Sequence, residues 1–330
     1  MSIIQPRRLH RGDLVRVISP SLPSLAYSRG SVEVAMARLA SMGLRCDFSD
    51  HAFEISDDGR SAGTAAQRAE DLHNAFSDPS VTAVLSAVGG LASHDLLPHL
   101  DAELLRSYPT IFIGRSDNTY LNAYLYTRVG VTSYTGATFV TQFGESNVAP
   151  ETERSFHDVL LGRGEHRLAT SPVRTQNSVP SSYTGEVHRW AQDRPGMDIW
   201  LRPGRAEGRL LGAEAGILCE LIEGGLLDLE GSVLWIDVVD DGREYADQVL
   251  DRLWSLLDGV RVAAMLVADN PSMPFGDWVA DIEERLLGGG LGVEGPVLVG
   301  GDLGHYQPAW LMPYGGVVVV DAGSGVTVQR

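Results

Sequence analysis

Lysine is absent from this chain. All 26 fixed positive charges are arginine, set against 43 aspartates and glutamates for a formal net charge of −17. No amine side chain is available for a Schiff base or for lysine-assisted serine chemistry. A surface this acidic opposes polyanions, which argues against nucleic acid as a partner. Cysteine is scarce: Cys46 and Cys219 lie far apart in apolar contexts and read as buried free thiols of a reducing compartment. No run of about 18 apolar residues occurs, so no membrane span or membrane partner is expected. Met1 to Asp13 carries charges without the apolar stretch of a signal peptide. The expectation is a soluble cytoplasmic protein. Low-complexity tracts are missing, and apolar residues make up 44% of the chain, an ordinary globular level. At 330 residues the chain is long for one core and comfortable for two domains.

The first half alternates strand-like and helix-like segments. Strands are expected at 13–18, 44–48, 81–87, 111–113 and 131–134, and helices at 30–42, 63–76 and 120–128. This rhythm predicts an α/β fold whose N-terminal domain is a doubly wound, mostly parallel sheet. Ligands of such sheets sit beyond the carboxyl ends of the strands, where Ser19-Pro20, Gly89-Gly90 and Gly114-Arg115-Ser116 fall. From about Leu168 to Gly208 serines, prolines and glycines break the pattern, with Tyr183, Trp190 and Trp200 interleaved. A loop this long in a compact protein is functional or disordered, and its aromatics argue against disorder. Regular structure resumes at Gly208. Strands are expected at 232–236, 260–267 and 297–299, with a β-rich end at 315–328. Helices are expected at 215–222, 243–257 and 276–287. The helix 243–257 should bury Tyr245, Val249, Leu253 and Leu256. The organisation read from this is a domain over 1–165, a linker with an aromatic loop over 166–207, and a smaller α/β domain over 208–330.

Ser116 carries the most chemical information. The apolar run Ile111–Ile113 stops at Gly114, and a helix starts almost at once with Leu121, Tyr124 and Leu125 on one face. A serine at such a corner is pushed out at the sheet top beside free N–H groups, the geometry a nucleophile needs. The same serine could instead cap the helix, with Asp117 favouring its dipole. Arg115 beside it could face an anionic substrate group or form a surface ion pair. In the second half, the strand 233–236 ends in Asp237, and Gly300-Gly301-Asp302-Leu303-Gly304 leads to His305. A strand-ending aspartate is also a routine turn residue, and His305 is one histidine of nine. The order Ser, Asp, His occurs in hydrolases with such a turn, but order alone does not specify chemistry.

The motifs together resemble a family. Gly12-Asp13-Leu14-Val15, Ser19-Pro20-Ser21, Ser86-Ala87-Val88-Gly89-Gly90, Ile113-Gly114-Arg115-Ser116-Asp117-Asn118-Thr119, Phe143-Gly144-Glu145, Gly208-Arg209-Leu210 and Gly304-His305 run through nearly the whole chain. They resemble the serine carboxypeptidases that include LD-carboxypeptidases of murein recycling and microcin C self-immunity peptidases. The immunity branch fits better. Val88 stands where murein enzymes usually carry arginine, and Ser182-Tyr183-Thr184-Gly185-Glu186 with Trp190 resembles that branch's aromatic loop.

The resemblance implies a triad of Ser116, Asp237 and His305, with the backbone N–H groups of Gly90 and Asp117 as the oxyanion hole. It places Gly89, Arg115, Tyr183, Trp190 and Glu214 near substrate, with Tyr183 and Trp190 stacking on a nucleobase or, alternatively, packing the loop. It implies no metal, no organic cofactor and a homodimer. Three positions depart from the pattern. Asp237 replaces the usual glutamate and is shorter by about 1.5 Å. Gly212-Ala213-Glu214-Ala215 replaces Gly-Gly-Asn-Leu, so that Glu214 could bind a cationic group, assist the triad or simply start a helix. Arg115 replaces a tyrosine. The expected function is cleavage of an amide-type bond in a peptide or an aminoacyl-nucleotide-like small molecule, through an acyl-enzyme. The alternatives are a murein tetrapeptide LD-carboxypeptidase, a natural-product acyl-transfer enzyme and a catalytically silent binding homologue.

Overall fold

A computed structural model describes residues 2–175, 192–239, 242–270 and 272–329. These form two compact units, the first holding the residues up to 148 with 156–162, the second holding 149–155 and the residues from 163 onward. Within the first unit the strands are ordered Ser133–Thr135, Ile111–Ile113, Val81–Ser86, Leu14–Ile18, Arg45–Phe48. Every neighbouring pair is parallel. The three central strands are nearly unbroken apolar runs, the pattern of a sheet covered on both faces. Leu14, Ile18, Val84 and Phe112 meet Leu72 and Phe76 of the helix Ala65–Ser77, and Leu121 of the helix Thr119–Tyr124, in one buried cluster. Thr64 starts the helix Ala65–Ser77 with a capping box: Gln67 N–H donates to its hydroxyl at 3.2 Å, and its own N–H donates to Gln67 Oε1 at 2.9 Å. Such a cap stabilises a helix by about 1 kcal/mol. The chain leaves Leu14–Ile18 toward one edge, then returns to build the other from Val81–Ser86 outward. The switch point between these two strands is where an open α/β sheet forms its crevice.

The second unit contains an eight-stranded mixed sheet. Its order is His166–Leu168, Gly325–Val328, Val317–Asp321, Arg205–Glu214, Val233–Asp237, Ala264–Val267, Val297–Val299, Ile199–Arg202. The stretch from Arg205–Glu214 to Val297–Val299 is parallel, and both flanks are antiparallel. Parallel neighbours require crossovers, supplied by the helices Ala215–Glu223, Arg243–Leu256 and Phe275–Leu287.

Three expectations need adjustment. The segment 166–207, read as a linker and loop, contributes the strands His166–Leu168, Val173–Thr175, Gln192–Pro195 and Ile199–Arg202. These are three or four residues each and several lie at sheet edges, too short to show alternation. The strand expected over 260–267 is two, Arg261–Val262 and Ala264–Val267. The helix Arg243–Leu256 buries Ala246, Val249, Leu250 and Leu253, while Tyr245 is half-buried because its hydroxyl reaches a polar partner described below. Among the described residues, no helix is long and apolar enough to cross a membrane.

Candidate active site

Backbone strain marks the corner at Ser116. Ser116 has φ of 60°, and it is the one non-glycine residue with positive φ among the described residues. Holding a side chain in that region costs of order 1–3 kcal/mol, and such residues cluster at functional sites. The strain comes from reversing direction in a single residue. Arg115 is still extended, with φ −136° and ψ 163°, whereas Ser116–Asn118 is already a 3₁₀ turn leading into Thr119–Tyr124. No side-chain cap bond forms at Arg115 or at Asn118, which head the turn and the helix. Ser116 therefore sits inside the turn and does not cap it. From Ile111 to Ala123 every residue is buried except Ser116, which is half-buried. The sheet-top corner holds its neighbours and lets one hydroxyl reach solvent.

Asparagine side chains lock this corner. Asn118 Nδ2 donates to Ser86 Oγ at 3.2 Å, to Val88 O at 3.0 Å and to Arg115 O at 3.0 Å. Asn122 Nδ2 donates to Gly114 O at 3.1 Å. Asp117 turns its carboxylate to the neighbouring loop and accepts from the N–H groups of Ala92 at 3.0 Å and Ser93 at 2.8 Å. Ser21 Oγ also accepts from Ala92 N–H, at 3.1 Å. The buried Arg68 guanidinium donates to Ala92 O at 2.9 Å. The loop after Val81–Ser86 is thus pinned from three sides. Its two glycines are there for space. A Cβ at Gly89 would lie 2.9 Å from Ser116 Cβ and 3.3 Å from its Oγ, while Gly90, at φ 151°, is packed against Ser21 and Leu22. Any side chain at 89 would crowd the hydroxyl. Arg115, read as facing an anionic substrate group or forming a surface ion pair, is buried at 9% exposure.

The second unit contains an imidazole–carboxylate pair. Asp237 ends the strand Val233–Asp237 at 2% exposure, and its Oδ2 hydrogen-bonds His305 Nδ1. That bond directs Nε2, which is buried with no hydrogen-bond partner among the described residues, away from the carboxylate. Gly304 closes over the pair: a Cβ there would come 2.9 Å from Asp237 Oδ1. Glu214 lies at the end of the adjacent strand, in register with Asp237. It caps the helix Ala215–Glu223, accepting from Ile217 N–H at 3.1 Å through Oε2 and from the Tyr245 hydroxyl at 3.1 Å through Oε1. Burial pushes the Glu214 carboxyl up and the charge of Asp237 adds to this, while the N–H groups of Gly216 and Ile217 and the nearby His305 pull it down.

Sequence reasoning missed what holds the histidine. The fully buried Arg174 donates to Asp302 Oδ1 at 2.9 Å, to Met197 O at 3.0 Å and to Asp198 Oδ1 at 3.0 Å. Its guanidinium stacks 5.5 Å from the centre of the Tyr306 ring. Asp302 also accepts from Ser171 N–H at 2.7 Å. Burial nonetheless pushes its carboxyl up to about 6, against the pull of Arg174. The Tyr306 hydroxyl donates to Gly301 O at 2.7 Å and accepts from Asp269 N–H at 3.1 Å. Beyond the ring, Thr175 exchanges bonds with Gln307, Thr152 Oγ1 accepts from Ala309 N–H at 2.9 Å, and Ser155 Oγ accepts from Leu311 N–H at 2.8 Å. The one available signal was Asp302 in its Gly-Gly-Asp turn. Arg174 offered none, because its partner lies 128 residues away.

The other candidates resolve as follows. Tyr183 and Trp190 lie outside the described residues. Cys46 and Cys219 are free, and burial pushes their thiols up to about 12 and about 11. Neither is a thiolate at neutral pH, so neither competes as nucleophile. Cys219 is buried but Cys46 is only half-buried.

Residues 15–136 match the family model of the LD-carboxypeptidase N-terminal domain. A murein tetrapeptide carboxypeptidase of Pseudomonas aeruginosa is 30% identical over 267 residues, covering 79% of each chain. The chain belongs to the LD-carboxypeptidase family. It is a serine hydrolase of that family, as its motifs implied. An MccF-like protein from Bacillus anthracis shares the fold with a TM-score of 0.86 and 25% identity, over 99% of both chains. The microcin C7 self-immunity protein MccF, solved with aspartyl sulfamoyl adenosine, shares it with a TM-score of 0.85 and 20% identity, over 99% of this chain and 98% of that one.

Proposed function

We propose that this LD-carboxypeptidase family member cleaves the amide-type bond of an aminoacyl- or peptidyl-nucleotide-like conjugate through a Ser116–His305–Asp237 relay. The observation that carries the reading is the strained, singly exposed Ser116 inside a rigid, buried corner. In the proposed cycle Ser116 Oγ attacks the carbonyl carbon while His305 Nε2 takes its proton. The N–H groups of Gly90 and Asp117 hold the oxyanion, each such donor being worth about a hundredfold or more in rate. The intermediate collapses, the leaving nitrogen receives the proton from His305, and an acyl-Ser116 remains. Water, deprotonated by His305, then releases the acid. Asp237 keeps Nδ1 protonated and stabilises the imidazolium. Glu214, tied to its own helix and to Tyr245, is a support in this scheme. A cytoplasmic location is proposed from the sequence reading, and a homodimer on the family resemblance alone.

Murein tetrapeptide is the second reading, favoured by the Pseudomonas aeruginosa relative. Against it stands Val88, buried in the loop that precedes Gly89, at the position where the murein branch usually carries arginine. Mass spectrometry after incubation with aspartyl sulfamoyl adenosine and, separately, with murein tetrapeptide distinguishes the two. The expected result is release of aspartate from the first at a rate at least tenfold above loss of D-alanine from the second. The opposite ranking would assign the murein role, and no turnover of either by folded protein would remove the substrate proposal.

A further inference from the structure

We propose that the second unit carries a binding site for a small aromatic carboxylate, lined by Trp200, Trp310 and Arg167, separate from the Asp237–His305 pair. A cavity of about 380 Å³ is lined by these three residues together with Thr170, Asp198 and Leu298, and by neither Asp237 nor His305. That volume lies at the small end of ligand pockets, which suits one or two fused rings with a short acidic arm.

The wall chemistry selects the ligand. Most polar groups in the lining are already committed to one another. Asp198 accepts from Thr170 Oγ1 at 2.6 Å, from Gly301 N–H at 2.7 Å and from Arg174 at 3.0 Å. Its oxygens are taken up by these donors, and its charge is partly offset by Arg174, which Asp302 also uses. Trp310 donates its indole N–H to Ala169 O at 2.9 Å and is 2% exposed. Two donors are left over. The Arg167 guanidinium and the Trp200 indole N–H make no hydrogen bond or ion pair among the described residues. The guanidinium lies over Gly325, whose hypothetical Cβ would be 3.4 Å from Arg167 Nε. An arginine in a cavity wall, with no partner among the described residues, favours an anion, and its planar fork matches a carboxylate. The aromatic lining then favours a flat apolar body over a sugar or an aliphatic chain.

Isothermal titration of the full chain with indole-3-acetate, and with neutral indole-3-acetamide as control, tests the site. Saturable one-to-one binding of the acid is expected, at least about tenfold tighter than the amide. Arg167→Gln and Trp200→Ala should each weaken it at least tenfold, with Arg167 exposed so that its variant keeps the wild-type melting temperature. His305→Ala should bind as wild type. No saturable binding at millimolar ligand, unchanged binding in Arg167→Gln, or loss of binding in His305→Ala would each overturn the proposal.

Discussion

Replacing Ser116 with alanine is expected to lower kcat/KM on the cleaved conjugate by at least about a thousandfold, with the melting temperature within about 2 °C of wild type. The loss follows because no other group in the proposed relay can form the acyl intermediate, and what remains is binding plus the oxyanion donors. The unchanged stability follows from the backbone. Alanine at φ 60° carries the same strain as serine, and the hydroxyl makes no cap bond that alanine would remove. A helix-capping serine would behave in the opposite way, with about 1 kcal/mol lost and activity largely kept. Kinetics and calorimetry on one preparation separate the roles. Activity within tenfold of wild type would end the nucleophile assignment.

The second large effect lies away from the reacting atoms. Arg174→Met is expected to cost about 3–5 kcal/mol of stability, because it leaves the fully buried Asp302 carboxylate without its partner. Turnover should fall with it. Asp302 and Tyr306 lie in the same turn as His305, and Asp302 O also accepts from Trp310 N–H at 2.5 Å. Pairing the change with Asp302→Asn should recover part of the stability, since a neutral amide no longer needs the cation while Asp198 and Asp269 still lack it. Denaturant unfolding of the two singles and the double measures this coupling. Additive single effects would show that the pair is not the anchor of the histidine segment.

How much of this was legible in the sequence differs by residue. Largely apolar runs such as Val81–Ser86 and Val233–Asp237 announced buried parallel strands, and Ser116 announced itself by following Ile111–Ile113 and Gly114. Local chemistry sufficed for these because a strand, a glycine and a turn are neighbours in sequence. The edge strands between His166 and Arg202 were read as a loop, since three or four polar-rich residues show no period until partners such as Gly325–Val328 pair with them. Tyr245 was assigned to a core by helical spacing, but its hydroxyl found Glu214 on another element. Arg174 is the clearest case. A buried cation is defined by where its carboxylates arrive, and chain order carries none of that information.

In the proposed relay Ser116 is activated by His305. The most direct measurement is labelling of the whole chain with a fluorophosphonate, followed by peptide mapping of wild type and His305→Ala. One adduct is expected, on Ser116, forming at least about a hundredfold more slowly when the imidazole is gone. An adduct on another serine, or equal labelling of Ser116 without His305, would contradict it.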